Sequence, residues 1–102
     1  MAIYTLRFHP SFVHELEHAI AWYKEQSKSV ANRFKVSVSK QLQQLKKTPE
    51  TKSLRYDDVR FARIEKFPYA IHFSIDNINK QVFVHALLSD YQNPEEHWQK
   101  RF

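Results

Sequence analysis

The sequence predicts an α+β fold in which one strand precedes an antiparallel pair of helices and a three-stranded antiparallel meander follows them. Two observations indicate this class. Apolar residues recur every three or four positions between residues 10 and 48, and they alternate with polar residues in the segments on either side. The first spacing is typical of an amphipathic helix and the second of a half-buried strand. We expect all the strands to form one sheet.

The first strand is predicted over residues 3–8, where the alternation is clearest. Pro10 then begins a helix that ends near Ser27. The apolar stripe of this helix comprises Phe12, Val13, Leu16, Ala19, Ile20 and Tyr23. A second helix follows until Thr48 and Pro49, because proline disfavours α geometry in the residue before it. The stripe of the second helix comprises Ala31, Phe34, Val38, Leu42 and Leu45.

The second half of the chain is predicted to be mainly β. Residues 51–58 are polar and are expected to form a loop. Three segments rich in β-branched and aromatic residues are predicted strands, namely 59–66, 69–75 and 81–88. The turn between the last two strands is assigned to Asp76, Asn77 and Asn79. A final helical turn around Trp98 is expected after Pro94.

Length, charge and cysteine content narrow the class of protein. A chain of 102 residues has material for one core, so we expect a single domain over 1–102. The formal net charge of +5 favours an acidic or polyanionic partner. The chain has no cysteine, which fits a reducing cytoplasm. No signal peptide or membrane span is predicted, because no long apolar run is present.

A zinc-protease pattern occurs at residues 14–18, which spell HELEH and so match HExxH. In that motif two histidines one helical turn apart bind zinc, and the glutamate activates water. At about 100° per residue, however, His14 and His18 lie opposite the apolar stripe and are predicted to face solvent. A catalytic zinc also needs a third ligand and a cleft, which the solvent-facing side of a helix does not supply. We therefore predict no metal site.

The absence of glycine excludes a glycine-rich phosphate-binding loop. The sequence also has no GxSxG motif and no cysteine nucleophile. Nucleotide hydrolysis and acyl transfer are therefore disfavoured, and no cofactor is expected.

Three stretches of the chain resemble the RelE/ParE toxin superfamily. They are AIAWYKEQSKSVANRF across the helix hairpin, KFPYAIHFSID at the third predicted strand, and VFVHALLSDYQNPEEHW at the end. The order and spacing of these pieces carry the resemblance, which covers nearly the whole chain. The residues that begin the third predicted strand, 67–69, and the pair Trp22 and Tyr23 are similar to sequences of the ParE-like branch. We expect Trp22, Tyr23 and Phe34 to clamp the two helices. Tyr69, Ile71, Phe73 and Ile75 are expected to give the sheet an apolar face.

The resemblance implies a cytoplasmic type II toxin that a cognate antitoxin holds inactive. The implied target is DNA gyrase or ribosome-bound mRNA. In the ribonuclease branch, basic side chains over the sheet stabilise the phosphate, and a histidine or tyrosine near the end of the last strand assists proton transfer. The matching candidates for phosphate or target contact are Lys52, Arg55, Arg60 and Arg63, for which a solvated strand edge is the alternative. The candidate catalytic set is Arg60, Arg63 and Tyr91, with packing under the tail as the alternative for Tyr91.

The end of the last predicted strand departs from the family pattern. Many relatives have a histidine, then arginines and Asp-Pro there, whereas residues 89–94 of this chain are SDYQNP. His85 is expected on the face opposite Val84 and Ala86, and it could replace the missing histidine only if the strand ended differently. Whether the chain is an enzyme is therefore left open.

Three functions follow as alternatives from the sequence. The first is a growth-inhibiting toxin that acts on gyrase or on translation, and the second is a ribosome-dependent mRNA endonuclease. The third is a non-toxic basic module that binds nucleic acid or protein. The resemblance also allows a homodimer, and it implies no membrane partner.

Overall fold

The computed structural model describes residues 3–90. Within that range the elements are, in order, β1 (Thr5–Phe8), α1 (Pro10–Gln26), α2 (Lys28–Lys47), a 3-10 turn (Pro49–Thr51), β2 (Leu54–Tyr56), β3 (Val59–Arg63), β4 (Tyr69–Asp76) and β5 (Gln81–Ser89). The predicted α+β class and the order of its elements are confirmed. The turn expected around Trp98 lies outside the described residues. No helix in the described part is both long and apolar enough to cross a membrane.

The five strands form one sheet in the order β1-β5-β4-β3-β2. Strands β3, β4 and β5 make the predicted antiparallel meander, and β1 pairs with β5 in parallel. The short strand β2 was not expected, since residues 51–58 were predicted to be a loop. Leu54 and Tyr56 pair with β3 there, which satisfies backbone groups that an edge strand would otherwise leave to solvent.

The helix hairpin has a link of one residue, Ser27. The backbone N–H of Ser27 donates to the carbonyl oxygen of Tyr23 at 2.8 Å and so ends α1. The Oγ atom of Ser27 accepts from the N–H of Val30 at 3.4 Å and so begins α2. At the other end of α1, Pro10 follows His9, whose Nδ1 accepts from the N–H of Ser11 at 3.0 Å. Both helix starts therefore lie where the sequence placed them.

The core lies between the helix hairpin and one face of the sheet. Its fully buried members include Phe12, Phe34, Leu45, Ile64, Ile71, Phe73, Val82, Val84 and Leu87. Tyr23 contacts Phe34 with ring centroids 5.0 Å apart. Trp22 packs edge-on against Tyr23 at 5.1 Å, although its side chain is 53% exposed. Val13 was also expected in the stripe, yet it is exposed, since the buried side of α1 is centred on Phe12 and Ala19.

The turns are built without glycine. Asp57, Lys66 and Lys80 have φ values of 48°, 70° and 54°, in the left-handed region that usually favours glycine. In the turn that leads to Lys80, the Oδ1 atom of Asp76 accepts hydrogen bonds from the N–H groups of Ile78 and Asn79, each at 3.1 Å. Hydrogen bonds from Asn79 lower the pKa of Asp76. This carboxylate therefore fixes the β4–β5 turn, as the sequence predicted.

The substitution Phe34→Ala should lower the free energy of unfolding by about 3–5 kcal/mol, because it opens a cavity between the hairpin and the sheet. Urea unfolding followed by circular dichroism measures this loss. The control is Val36→Ala, on the same helix at a side chain that is 66% exposed, where we expect a change within about 0.5 kcal/mol. Equal losses in the two variants would contradict the placement of Phe34 in the core.

Candidate functional site

The sheet has two chemically different faces. Ile71 and Phe73 of β4 belong to the helix-side core, and His72 between them points to the other side, because side chains alternate along a strand. We call this other side the outer face. Its members, in register across the strands, are Phe61, Arg63, Ala70, His72, Ser74, Ala86 and Leu88. Arg63 and Phe61 are the more exposed members, whereas Ala70, His72, Ser74, Ala86 and Leu88 are buried.

A groove of about 170 Å³ lies on the outer face, toward the ends of β3 and β5. Its lining residues are Arg55, Phe61, Arg63, Ala70, His72, Leu88, Ser89 and Asp90. We call it the outer-face groove. Two of the four predicted target-contact residues, Arg55 and Arg63, come together in it.

Arg63 is paired with Asp90 at the rim of the groove. The Nη1 and Nη2 atoms of Arg63 each donate to one carboxylate oxygen of Asp90 at 2.9 Å, in a parallel fork. This hydrogen bonding lowers the pKa of Asp90 and raises the pKa of Arg63. Both side chains are exposed, so solvent screens the pair. The charge of Arg63 is nevertheless already balanced before any target arrives.

Aromatic side chains lie beside Arg55, the second cation of the groove, and beside its buried histidine, His72. The guanidinium carbon of Arg55 lies 5.3 Å from the ring centroid of Phe61, within the range of a cation–π contact. His72 is 4% exposed and lies beside the Phe61 ring. The hydroxyl of Tyr56 is 3.3 Å from Nδ1 of His72. Tyr56, Phe61 and His72 were not among the predicted site residues.

A bulge in β5 brings a second histidine to the outer face. The register between β4 and β5 shifts between His72 and Phe73, so that His72 is opposite Ala86 while Phe73 is opposite Val84. His85 is the extra residue. Its Nε2 lies 2.7 Å from the Oγ atom of Ser74, on the outer face. His85 and Ala86 therefore lie on the same face, whereas strict alternation predicted opposite faces.

The other two predicted contact residues lie elsewhere. Arg60 pairs in register with Phe73, which places its side chain on the helix side of the sheet. Its Nη1 atom donates to the carbonyl oxygens of Lys52, at 2.5 Å, and Glu50, at 3.4 Å. The Nζ atom of Lys52 is 3.4 Å from Oε1 of Gln44 on α2. Arg60 and Lys52 thus meet each other and not the groove.

The alternation of strand side chains explains this separation. Arg60 and Arg63 are three positions apart on one strand, and residues an odd number of positions apart point to opposite faces. The same parity places Phe61 with Arg63, a signal that the sequence already contained. Tyr91, the third residue of the candidate catalytic set, lies outside the described residues. Its role stays a prediction.

The HELEH segment lies on α1, away from the groove. His14 and His18 are exposed, as predicted, but Glu15 is half-buried and accepts a hydrogen bond from the backbone N–H of Leu87 at 3.0 Å. The glutamate of the zinc pattern therefore binds the bulged part of β5. Among residues 3–90, no cluster of three His, Cys, Asp or Glu side chains is placed to hold a metal ion.

The outer-face groove is suited to binding an anion or a macromolecular surface. Arg55, Arg63 and Asp90 together leave one net positive charge at its rim. The Phe61 ring offers a face for stacking. These side chains have the chemistry to bind a nucleic acid or a charged protein surface.

Comparison with known proteins assigns the family. Residues 6–94 match the family model for the ParE toxin of the type II toxin-antitoxin system parDE. No curated protein sequence matches the chain significantly.

Several solved structures share the fold at low sequence identity. The chromosomal ParDE toxin-antitoxin system from P. aeruginosa superposes with a TM-score of 0.73 at 13% identity, over 85% of this chain and 96% of that one. The isolated E. coli RelE toxin gives a TM-score of 0.60 at 16% identity, over 97% and 99%. The RelBE2 toxin-antitoxin complex from Mycobacterium tuberculosis gives 0.59 at 18% identity, over 86% and 99%.

Replacing Arg63 by alanine should raise the pKa of Asp90 back toward its ordinary value of 3.8, because the hydrogen bonds that favour the carboxylate are lost. Because the folded-state pKa is lowered, the pair stabilises the fold above about pH 4, and this contribution is lost as the pH falls through the lowered pKa. Carboxyl-carbon NMR titration measures both variants. Arg33→Ala on α2 is the control and should leave the Asp90 titration unchanged. Identical titrations of Asp90 in the parent chain and in Arg63→Ala would contradict the pairing.

Proposed function

This chain belongs to the ParE toxin family of type II toxin-antitoxin systems, and from that premise we propose that it arrests bacterial growth by binding DNA gyrase through its outer-face groove. A cognate antitoxin prevents this binding in the cell. The sequence left gyrase and translation as alternatives. The pairing of Arg63 with Asp90 is the observation that favours gyrase.

Cleavage of RNA and binding of a protein require different electrostatics. A ribonuclease must stabilise the charge that develops on a phosphate, and it does so with cations aimed at that phosphate. Within the described part of the chain, Arg60 points to the helix side and Arg63 is already balanced by Asp90. A protein target needs no such convergence, since paired charges at a rim set orientation and partner choice. The groove therefore supports binding better than catalysis.

The antitoxin is proposed as the second partner. Two of the structural neighbours are a ParDE toxin-antitoxin system and a RelBE2 toxin-antitoxin complex. The net charge of +5 suits an acidic protein, which would also neutralise repulsion within the toxin. A small acidic protein encoded beside this chain and co-purifying with it would support the proposal.

Induced expression in a bacterial host without antitoxin should stop thymidine incorporation before amino-acid incorporation, because gyrase inhibition blocks replication first. The two labels are followed over the first minutes. The double variant Arg55→Ala with Arg63→Ala should restore colony counts by about tenfold or more, since it removes both cations of the groove. Arg33→Ala with Lys40→Ala, an equal charge change on α2, should remain toxic. If neither synthesis stops, the chain is a non-toxic interaction module and the proposal is wrong.

A ribosome-dependent endonuclease is the second candidate function, favoured by His72, which lies 3.3 Å from the Tyr56 hydroxyl and lines the same groove as Arg55 and Arg63. If it holds, amino-acid incorporation stops first, and purified protein cleaves mRNA on ribosomes. His72→Asn should then reduce the cleavage rate by about 100-fold, because general acid–base catalysis is lost. Primer extension on ribosome-bound mRNA measures the cuts. Circular dichroism of the variant verifies its fold, and intact mRNA with the parent protein excludes this function.

A further inference from the structure

The HELEH segment of α1 borders a cleft that was not predicted from the sequence. This cleft has a volume of about 420 Å³ and lies between α1 and the end of the sheet where β4 begins and β5 ends. Its lining residues include His14, Glu15 and His18 from α1 and Tyr69 and Ser89 from the sheet. We call it the α1 cleft. Both histidines of the segment therefore face one shared space, which the proposed function does not use.

His14 and His18 have the spacing of a chelating pair. Residues four positions apart lie on the same side of a helix, with Cβ atoms roughly 5–6 Å apart. Two imidazoles at this spacing can bind one metal ion, as they do in the HExxH motif. Both side chains are exposed, and in residues 3–90 neither ring has a hydrogen-bond partner. The rings can therefore turn toward a common ion without breaking a hydrogen bond there.

The local charge at α1 favours a cation, although the chain as a whole is basic. Helix α1 carries three Glu residues and one Lys, whereas α2 carries six Lys or Arg residues and no Asp or Glu. None of the described residues that line the α1 cleft is a Lys or Arg, and the carboxylate of Glu15 is one of the lining groups. A divalent cation is therefore attracted to α1 and repelled by α2.

Glu15 is engaged by the sheet. Its Oε1 atom accepts a hydrogen bond from the backbone N–H of Leu87 at 3.0 Å, which directs the carboxylate to β5. The glutamate of a zinc protease instead activates a water molecule on the metal. Tyr69 stays a neutral phenol near neutral pH, since burial raises its pKa. In the described part of the cleft, the two imidazoles are therefore the groups best suited to bind a metal ion.

We propose that His14 and His18 bind one divalent transition-metal ion, such as Zn²⁺, in the α1 cleft. Imidazole nitrogen suits Zn²⁺, Ni²⁺ and Cu²⁺, whereas Mg²⁺ and Ca²⁺ prefer oxygen ligands. Water completes the coordination of the ion. The sequence argued against a catalytic zinc, which has three protein ligands, and a binding site with two is of a different kind. This site goes beyond the proposed function and does not depend on it.

Calorimetric titration of ZnCl₂ into the full chain, purified without a histidine tag, should show one ion bound per chain. His14→Ala and His18→Ala should each weaken binding by about tenfold or more, because a single imidazole does not chelate. Both positions are exposed, so the variants keep the fold, which circular dichroism verifies. Equal affinities in the parent chain and the variants would overturn the proposal. Half an ion per chain would also overturn it, since a second copy would then share the site.

The matched control keeps two histidines on α1 and changes their spacing. In His18→Ala with Ala21→His, the second imidazole moves to another exposed position, seven residues after His14. Seven residues span about 10.5 Å along a helix, which is too far for two imidazoles to share one ion. This variant should bind Zn²⁺ no more tightly than His18→Ala does. Binding as tight as in the parent chain would show general attraction to the helix and would overturn the proposal.

Paramagnetic Cu²⁺ locates the ion on the molecule. At a small fraction of an equivalent, it should broaden the backbone amide signals of residues 14–18 and of Ser89 across the cleft, and it should leave the signal of Lys40 on α2 sharp. His18→Ala should lose this broadening, and Mg²⁺ should cause no change in the spectrum of the parent chain. Equal broadening around His14 in the parent chain and in His18→Ala would contradict a two-histidine site. None of these measurements depends on toxicity.

Discussion

The aromatic contacts among Tyr23, Phe34, Phe67 and Tyr69 hold the helix hairpin against the sheet, with most ring centroids 5.0 to 5.4 Å apart. Burial raises the pKa of both tyrosines, so they stay neutral at this contact. Because the two helices cover one face of the sheet, Arg63, His72 and Ser74 lie on the outer face, whereas Arg60, on the helix side, donates to backbone carbonyl oxygens. The position of the outer-face groove follows from that constraint.

The sequence predicted the fold well because its signals are periodic. A helix stripe and a strand alternation persist over many residues, and caps such as Ser27 mark their ends. Local exceptions to this periodicity were harder to predict from the sequence. The short strand β2 is stabilised by pairing with β3, which its own residues do not indicate, and the bulge at His85 depends on the register with β4. Trp22 is a large aromatic residue of the kind that cores contain, yet its position on the helix leaves it 53% exposed.

The candidate site was predicted only in part, for the same reason. Arg55 and Arg63 were identified from the family resemblance, and they do meet in the groove. The resemblance also selected Arg60, although strand parity separates it from Arg63. The partnership of Arg63 with Asp90 joins residues 27 positions apart, and sequence carries no local signal for such a pair. His72 was interpreted as a packed or surface imidazole, because a histidine within a strand resembles any such side chain until its neighbours across the sheet are known.

The central place of β5 has a consequence for how the molecule is made. This strand lies between β1 and β4, yet every other strand of the described sheet is synthesised before it. While the chain emerges, β1 has no neighbour to pair with, and the hairpin has only half a sheet to cover. Pairing of β1 with β5 closes a loop of more than 70 residues, a contact that forms late because its entropic cost is high. A chain cut short before β5 would therefore lack the strand that joins β1 to the rest of the sheet.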